Sequence, residues 1–262
     1  MQVIVTRPAA EAGPWVRALA ARGIAAAALP LIGIAPLPDP APLRAAWAVL
    51  PAYRAVMFVS RSAVAHFFAA RPLSAAWPAG PRAWAPGAGT AQALREAGVP
   101  VGSIDAPAAD AARMDSEALW ALVAPQARAG DRVLLVRGSD GADAGPAGAD
   151  TGNGRDWLAQ QIAAARARVE AVAAYLRQPP VLDAAQRALA QAAANDGSLW
   201  LFSSAQAIAH LRAALPAQGW RAARALATHP RIAEAARAAG FGAVALSAPG
   251  QDAVIASIES LA

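Results

Sequence analysis

The residues of this sequence best suited to chemistry are hydroxyls and arginines that follow short apolar runs. Six such turns stand out: Thr6, Arg7 and Pro8; Ser60, Arg61 and Ser62; Gly87, Gly89 and Thr90; Arg137 and Gly138; Ser203 and Ser204; and Thr228, His229 and Arg231. Most of them open a helical pattern, where hydroxyls, helix N-terminal N–H groups and arginine forks bind carboxylate or phosphate. The same hydroxyls serve equally as N-caps of the helices they open, and one hydroxyl can do both. Tyr175 adds the one acid–base group that stands apart. It ends an extended segment in VAAYLRQPP, where a phenol can donate a proton or simply pack. Tyr53, in PAYRAV, precedes a strand and reads as a packing residue.

Residue types exclude much other chemistry. There is no cysteine, hence no disulfide, thiolate catalysis or Cys-ligated metal. All 23 basic residues are arginine, so lysine Schiff bases, lysine-linked pyridoxal phosphate and a P-loop lysine are excluded. HExxH, GxSxG, GxxxxGK[ST] and a GxGxxG after a strand are absent, and PGAG at 86–89 lacks the dinucleotide-binding spacing. His66 and His210 sit in apolar helical stretches and read as helix-face residues. Only His229 lies in a turn, and one histidine makes no metal site. Asp115 and Glu117, in MDSEAL, read as the first turn of a helix. No metal and no cofactor are expected.

The elements that position these turns repeat along the chain. VIVTRP at 3–8 and VLLVRG at 133–138 each read as a buried strand entering a turn. Each is followed by a helical pattern, at 14–23 and 155–169. Each helix leads to an extended segment ending in proline, at 28–36 and 169–180. A second pair matches better: AVMFVSRSAVAHFF at 55–68 and SLWLFSSAQAIAHL at 198–211. In this pair Phe58 aligns with Phe202, Ser60 with Ser204, Ala63 with Ala207 and His66 with His210. A third pair, 82–100 and 224–242, gives a strand, a turn and a helix stopped by Gly98 or Gly240. Alternating strand and helix in this order predicts α/β architecture with parallel sheets.

Two proline-rich stretches, PLPDPAP at 36–42 and QPP at 178–180, fall at equivalent points just after the first βα unit of each half. They predict a chain that crosses twice between two parallel-sheet α/β domains. One domain combines 1–36 with 178–262 and the other is continuous over 37–177. Residues 139–154, rich in Gly, Ala and Asp, are expected to form a mobile surface loop.

Composition narrows the partners. Of 262 residues, 80 are alanine, so the 56% apolar content is largely methyl groups and does not indicate a membrane protein. No uninterrupted run of 18 apolar residues and no signal-peptide pattern is seen, which makes the cytoplasm the default expectation. The +5 charge comes from singly scattered arginines without aromatic interleaving. That suits a small anionic ligand and argues against nucleic acid.

The ordered series VIVTRP (3–8), LPLIGIAP (29–36), FVSRSAV (58–64), PGAGTAQAL (86–94), DSEAL (115–119), VLLVRG (133–138), GRDWL (154–158), VAAYLRQPP (172–180), FSSAQAI (202–208) and THPRIAEAA (228–236) resembles the uroporphyrinogen-III synthase family over essentially the whole chain. The resemblance implies two α/β domains joined by a two-stranded linker, with the active site in the cleft between them. It implies a cofactor-independent lyase of haem and tetrapyrrole biosynthesis. Its substrate would be hydroxymethylbilane, a linear tetrapyrrole with eight carboxylates, closed with inversion of ring D and loss of water to uroporphyrinogen III. Tyr175 matches the family's tyrosine, whose implied role is assisting departure of the hydroxyl. Thr6, Arg7, Ser60, Ser62, Thr90, Arg137, Ser203, Ser204 and Thr228 fall in the turns that would bind the substrate. A monomer is expected, whose partners are the substrate and, transiently, the preceding pathway enzyme. There are two alternatives: a non-catalytic two-domain α/β small-molecule binding protein using the same cleft without turnover, and a nucleotide-sugar or phosphoryl transferase built on paired α/β domains. The latter would need a metal carboxylate or phosphate loop, and neither is found.

Overall fold

The structure, a computed structural model, describes residues 1–108, 116–140, 153–248 and 250–261. Short apolar runs become strands and the alanine-rich amphipathic stretches between them become helices. First come β1 (Val3–Val5), α1 (Ala9–Ala20) and β2 (Ala26–Ala28). β3 (Gly33–Pro36), α2 (Ala41–Ala48), β4 (Ala55–Phe58), α3 (Arg61–Ala69), β5 (Arg82–Trp84), α4 (Ala88–Glu96) and β6 (Ile104–Asp105) follow. Next are α5 (Ser116–Val123), β7 (Arg132–Ser139), α6 (Asn153–Ala164) and β8 (Arg168–Gln178). The chain ends with α7 (Ala184–Ala193), β9 (Leu199–Phe202), α8 (Ala205–Ala214), β10 (Arg224–Ala227), α9 (Pro230–Ala238), β11 (Ala243–Leu246) and α10 (Gln251–Leu261).

The chain divides into two compact units, Met1–Gly33 with Gln178–Ala262, and Ile34–Arg177. The first carries a sheet in the order β11-β10-β9-β1-β2, with parallel pairs throughout. The second carries β3-β8-β7-β4-β5-β6, parallel across β8-β7-β4-β5-β6. The two orders are the same once β8, β7, β4, β5 and β6 are matched to β2, β1, β9, β10 and β11. That matching reproduces the repeated sequence pairs. In each sheet the winding direction reverses at one place, between β1 and β9 and between β7 and β4. In doubly wound sheets ligands bind beyond the carboxyl ends of the strands at that switch point.

The central strands β1, β4 and β9 are buried at every residue, as expected when helices cover both faces. Alanine-rich helices bring little volume to those faces, and aromatic rings supply it. In the continuous unit Trp47 stacks on Phe67 at 4.9 Å and Phe58 meets Phe67 edge-on at 5.4 Å. In the other, Trp220 stacks on Phe241 at 5.4 Å and Phe202 meets Phe241 edge-on at the same distance. Phe58 and Phe202 thus do the same work in both halves. Gly98 and Gly240 also correspond: each follows its helix with a positive φ, 91° and 94°, which glycine adopts without a Cβ clash.

Several boundaries differ from the sequence reading. The helix expected over 155–169 ends at Ala164, because Arg166 turns left-handed (φ 61°) and the Ala167 N–H folds back to the Ile162 carbonyl. Arg168 and Val169 are then already strand. The helix expected at 14–23 starts at Ala9 and holds Pro14 inside, since the Ala-Ala-Glu-Ala before it extends the helix to Pro8. The extended segment 28–36 breaks into β2 and β3. The linker 36–42 yields its last residues to α2, where the Asp39 carboxylate accepts the Ala41 N–H at 2.8 Å. Most of the expected 139–154 loop, 141–152, lies outside the described residues. Its edges are not loop: Ser139 ends β7, and Asn153 and Gly154 begin α6. Asp140 forms a two-point pair with Arg177 at 2.8 and 3.1 Å.

Candidate active site

At the switch point of the continuous unit, β4 delivers the chain to Ser60. Ser60 caps α3, its Oγ accepting the Ala63 N–H at 3.1 Å. The same Oγ lies 3.2 Å from the Tyr175 phenol oxygen. A fault in strand pairing brings the phenol there. β8 pairs with β7 one-for-one from Arg132 with Arg168 to Arg137 with Ala173, then the register shifts and Gly138 faces Tyr175. The extra residue, Ala174, is a β-bulge. Val172 and Ala174 point into the aromatic core, so plain alternation would turn Tyr175 away. The bulge turns it back into that core, where it is 4% exposed.

Gly138 makes the space. A Cβ built on Gly138 would lie 2.5 Å from Tyr175 Cε2, 2.6 Å from Cζ and 3.0 Å from the phenol oxygen. Beside the phenol ring stands His66 of α3, its ring centroid 5.7 Å away and tilted by 31°. Burial holds the His66 imidazole below its ordinary range and so uncharged at neutral pH. Of the other expected ligands in this unit, Ser62 sits partly exposed in the first turn of α3, and Arg137 lies half-buried beside the bulge. Thr90 lies in α4 and is only 7% exposed.

The discontinuous unit presents the matching turns. Thr6 is 1% exposed, and its hydroxyl donates to the Leu201 carbonyl at 2.7 Å, fastening β1 to β9 across the switch point. Its hydroxyl proton is therefore engaged inside the unit. Arg7 lies 4.6 Å over the Trp15 ring and pairs with Glu11 at 3.1 Å, while its buried Nε has no partner. Ser204 caps α8 by accepting the Gln206 N–H at 3.2 Å, and Ser203 beside it is partly exposed. The Thr228 N–H donates to the Phe202 carbonyl, which sets Thr228 next to the Ser203–Ser204 turn. His229 caps α9 through its ring nitrogen. His210, the sequence partner of His66, instead binds the Leu31 carbonyl at 2.7 Å.

Tyr53 does more than pack. Its phenol donates to Glu170 at 2.7 Å, and Arg132 grips the same carboxylate at 2.8 and 3.0 Å with its guanidinium 4.5 Å over the Tyr53 ring. Burial, and then the Glu170 hydrogen bond, push the Tyr53 phenol up to about 12. Arg132, and then the Tyr53 hydrogen bond, hold Glu170 below its ordinary range. These residues stand at the starts of β4, β7 and β8, at the other end of the strands from Ser60. They clamp the strands rather than serve the site. Among the described residues no three of His, Cys, Asp and Glu gather to hold a metal. The sequence reading named Gly138 only as a turn residue and His66 only as a helix-face residue. Their places against Tyr175 depend on the bulge, and a glycine where β7 could carry a side chain is its one trace in the sequence.

The sequence model of the family described as uroporphyrinogen-III synthase HemD matches residues 13–256, spanning segments of both units. The chain belongs to the uroporphyrinogen-III synthase family. Two solved structures share the synthase fold along the full chain. One is a mutant uroporphyrinogen III synthase from the extremely thermophilic bacterium Thermus thermophilus, with 17% identity and a TM-score of 0.55 over 100% of this chain and 98% of that one. The other is the uroporphyrinogen-III synthetase of Helicobacter pylori, with 14% identity and a TM-score of 0.58 over 100% and 99%. No curated protein sequence matches this synthase-family chain at a significant level. Among its described residues no helix is long and apolar enough to cross a membrane.

Proposed function

We propose that the chain is a uroporphyrinogen-III synthase that converts hydroxymethylbilane to uroporphyrinogen III. The family match over residues 13–256 carries this reading. The chemistry fits the residues. Loss of the hydroxyl gives an azafulvene. Ring D attacks through its substituted carbon to give a spiro-pyrrolenine, which fragments and recloses with ring D inverted. The free substrate closes unaided to the type I isomer, so the protein must supply orientation more than strong acid–base groups. Groups at the carboxyl ends of the strands, at the switch points and beside them, supply donors for the substrate's carboxylates: Ser60, Ser62, Thr90 and Arg137 in one unit, Arg7, Ser203, Ser204 and Thr228 in the other. Thr6, with its hydroxyl turned inward, holds the turn that carries Arg7. The N-termini of α3, α8 and α9 add partial positive charge at the same strand ends.

Tyr175 is the acid in this reading, the source of the proton with which the hydroxyl leaves. The scheme balances without a cofactor. The alternatives, a binding protein without turnover or a transferase, have no observation of their own in their favour. We further read the protein as a cytoplasmic monomer that meets the preceding pathway enzyme only transiently. Sizing the protein alone and during coupled turnover tests that part. The activity itself is tested by supplying freshly generated hydroxymethylbilane and separating the porphyrin isomers after oxidation. Protein-dependent isomer III supports the reading, and isomer I alone contradicts it.

A further inference from the structure

We infer that Ser60, and not Tyr175, is the group that meets the leaving hydroxyl, with Tyr175 as the proton source behind it. This rests on the reading of Tyr175 as the acid. The bulge at Ala174 and the missing side chain at Gly138 seat the Tyr175 ring in the aromatic core, 4% exposed. The phenol oxygen has a hydroxyl partner, Ser60 Oγ at 3.2 Å. Ser60 is partly exposed at the carboxyl end of β4, beside the switch point. Its oxygen accepts the Ala63 N–H at 3.1 Å, which fixes its direction. Either hydroxyl can donate across that contact; with Tyr175 donating, both Ser60 lone pairs are filled and the Ser60 proton is left for a ligand.

The step balances. The Ser60 Oγ–H proton passes to the hydroxyl oxygen as the carbon–oxygen bond breaks, and water leaves. The Tyr175 proton moves to Ser60 Oγ, leaving a phenolate. The proton released when the pyrroles regain aromaticity returns through Ser60 to that phenolate. Both side chains end as they began, and no oxidant or reductant is needed. The serine hydroxyl thus has two separable duties, as helix cap and as proton carrier.

The experiment separates them. Ser60→Asn keeps a good N-cap but removes the hydroxyl, whereas Ser60→Thr keeps both. Formation of isomer III is followed for these two, for Tyr175→Phe and for the double variant Ser60→Asn with Tyr175→Phe. The single losses are expected to be about 10²-fold in kcat, the lower end of what a positioned acid contributes, with little change in KM. The double variant should be no slower than either single one, because two links of one relay act as a unit. Ser60→Thr should restore most of the rate. Because the chain has only two tyrosines, ring-labelled tyrosine also gives two NMR signals. Ser60→Asn should move that of Tyr175 and leave that of Tyr53. Full activity in Ser60→Asn, or single losses that multiply in the double variant, overturns the relay while the synthase reading stands. Wild-type protein that makes only isomer I overturns the synthase reading itself.

Discussion

Adding one methyl group at Gly138 should disable the site without replacing any charged or hydroxyl-bearing residue. In Gly138→Ala the new Cβ would lie 2.5 Å from Tyr175 Cε2 and 2.6 Å from Cζ. Unstrained carbon–carbon contacts are about 3.5–4.0 Å, so the ring must retreat by about 1 Å. The phenol oxygen, 3.2 Å from Ser60 Oγ, has no slack for that movement within hydrogen-bond distance. Overpacking of this size costs about 1–3 kcal/mol of stability, and misplacing a reacting group by about 1 Å costs roughly 10²-fold in rate. The expected variant is folded, has a lower denaturant midpoint and forms isomer III about 10²-fold more slowly, with KM little changed. Adding Tyr175→Phe should not relieve the strain, since Cε2 and Cζ remain. In a Tyr175→Ala background, already destabilised by its emptied core, Gly138→Ala should cost little further stability and restore no activity. Wild-type stability and rate in Gly138→Ala would refute the claim that this glycine seats the ring.

Three further outcomes follow from other parts of the structure. Burial holds the His66 imidazole below 6.5, so the unfolded chain binds its proton more readily and His66 contributes stability that is lost as pH falls below about 6.5. His66→Phe should flatten that limb of melting temperature against pH, and an unchanged limb contradicts the assignment. In Glu170→Gln, the Tyr53 phenol should titrate below its wild-type value of about 12, as followed by alkaline difference absorbance with Tyr175→Phe as background. The wild-type clamp, which needs a neutral Tyr53, should weaken as pH rises from 10 towards 12, and a Tyr53 titration unmoved by Glu170→Gln contradicts the clamp. Thr6→Val removes the buried bond to Leu201 and should cost about 0.5–1.5 kcal/mol by denaturant titration, and no loss contradicts its role as a fastener across the switch point.

What the sequence reveals and what it hides separate by the range of the signal. Phe58 and Phe202, Ser60 and Ser204, Ala63 and Ala207, and Gly98 and Gly240 are recognisable as pairs because each carries a local duty: ring at a strand end, cap, close packing, or helix stop. Their order alone points to two sheets of one plan. The caps at Ser60 and Ser204 are legible for the same reason. His66 and His210 align just as well yet diverge, because their partners, Tyr175 and the Leu31 carbonyl, come from distant segments. The left-handed turn at Arg166 hides in a stretch of good helix formers, so the helix before it reads too long. Thr6 resembles the other turn hydroxyls until its distance to Leu201 shows it facing inward. The bulge at Ala174 is a matter of pairing between two strands, which no window along a single strand contains.

The most direct test of the account is the product of the reaction. Hydroxymethylbilane generated in place is divided between samples with and without the protein, and the porphyrin isomers are separated after oxidation. The expected result is isomer III where the protein is present and isomer I where it is absent. Isomer I alone in both, from protein shown to be folded, would contradict the synthase assignment and with it the catalytic roles of Tyr175 and Ser60.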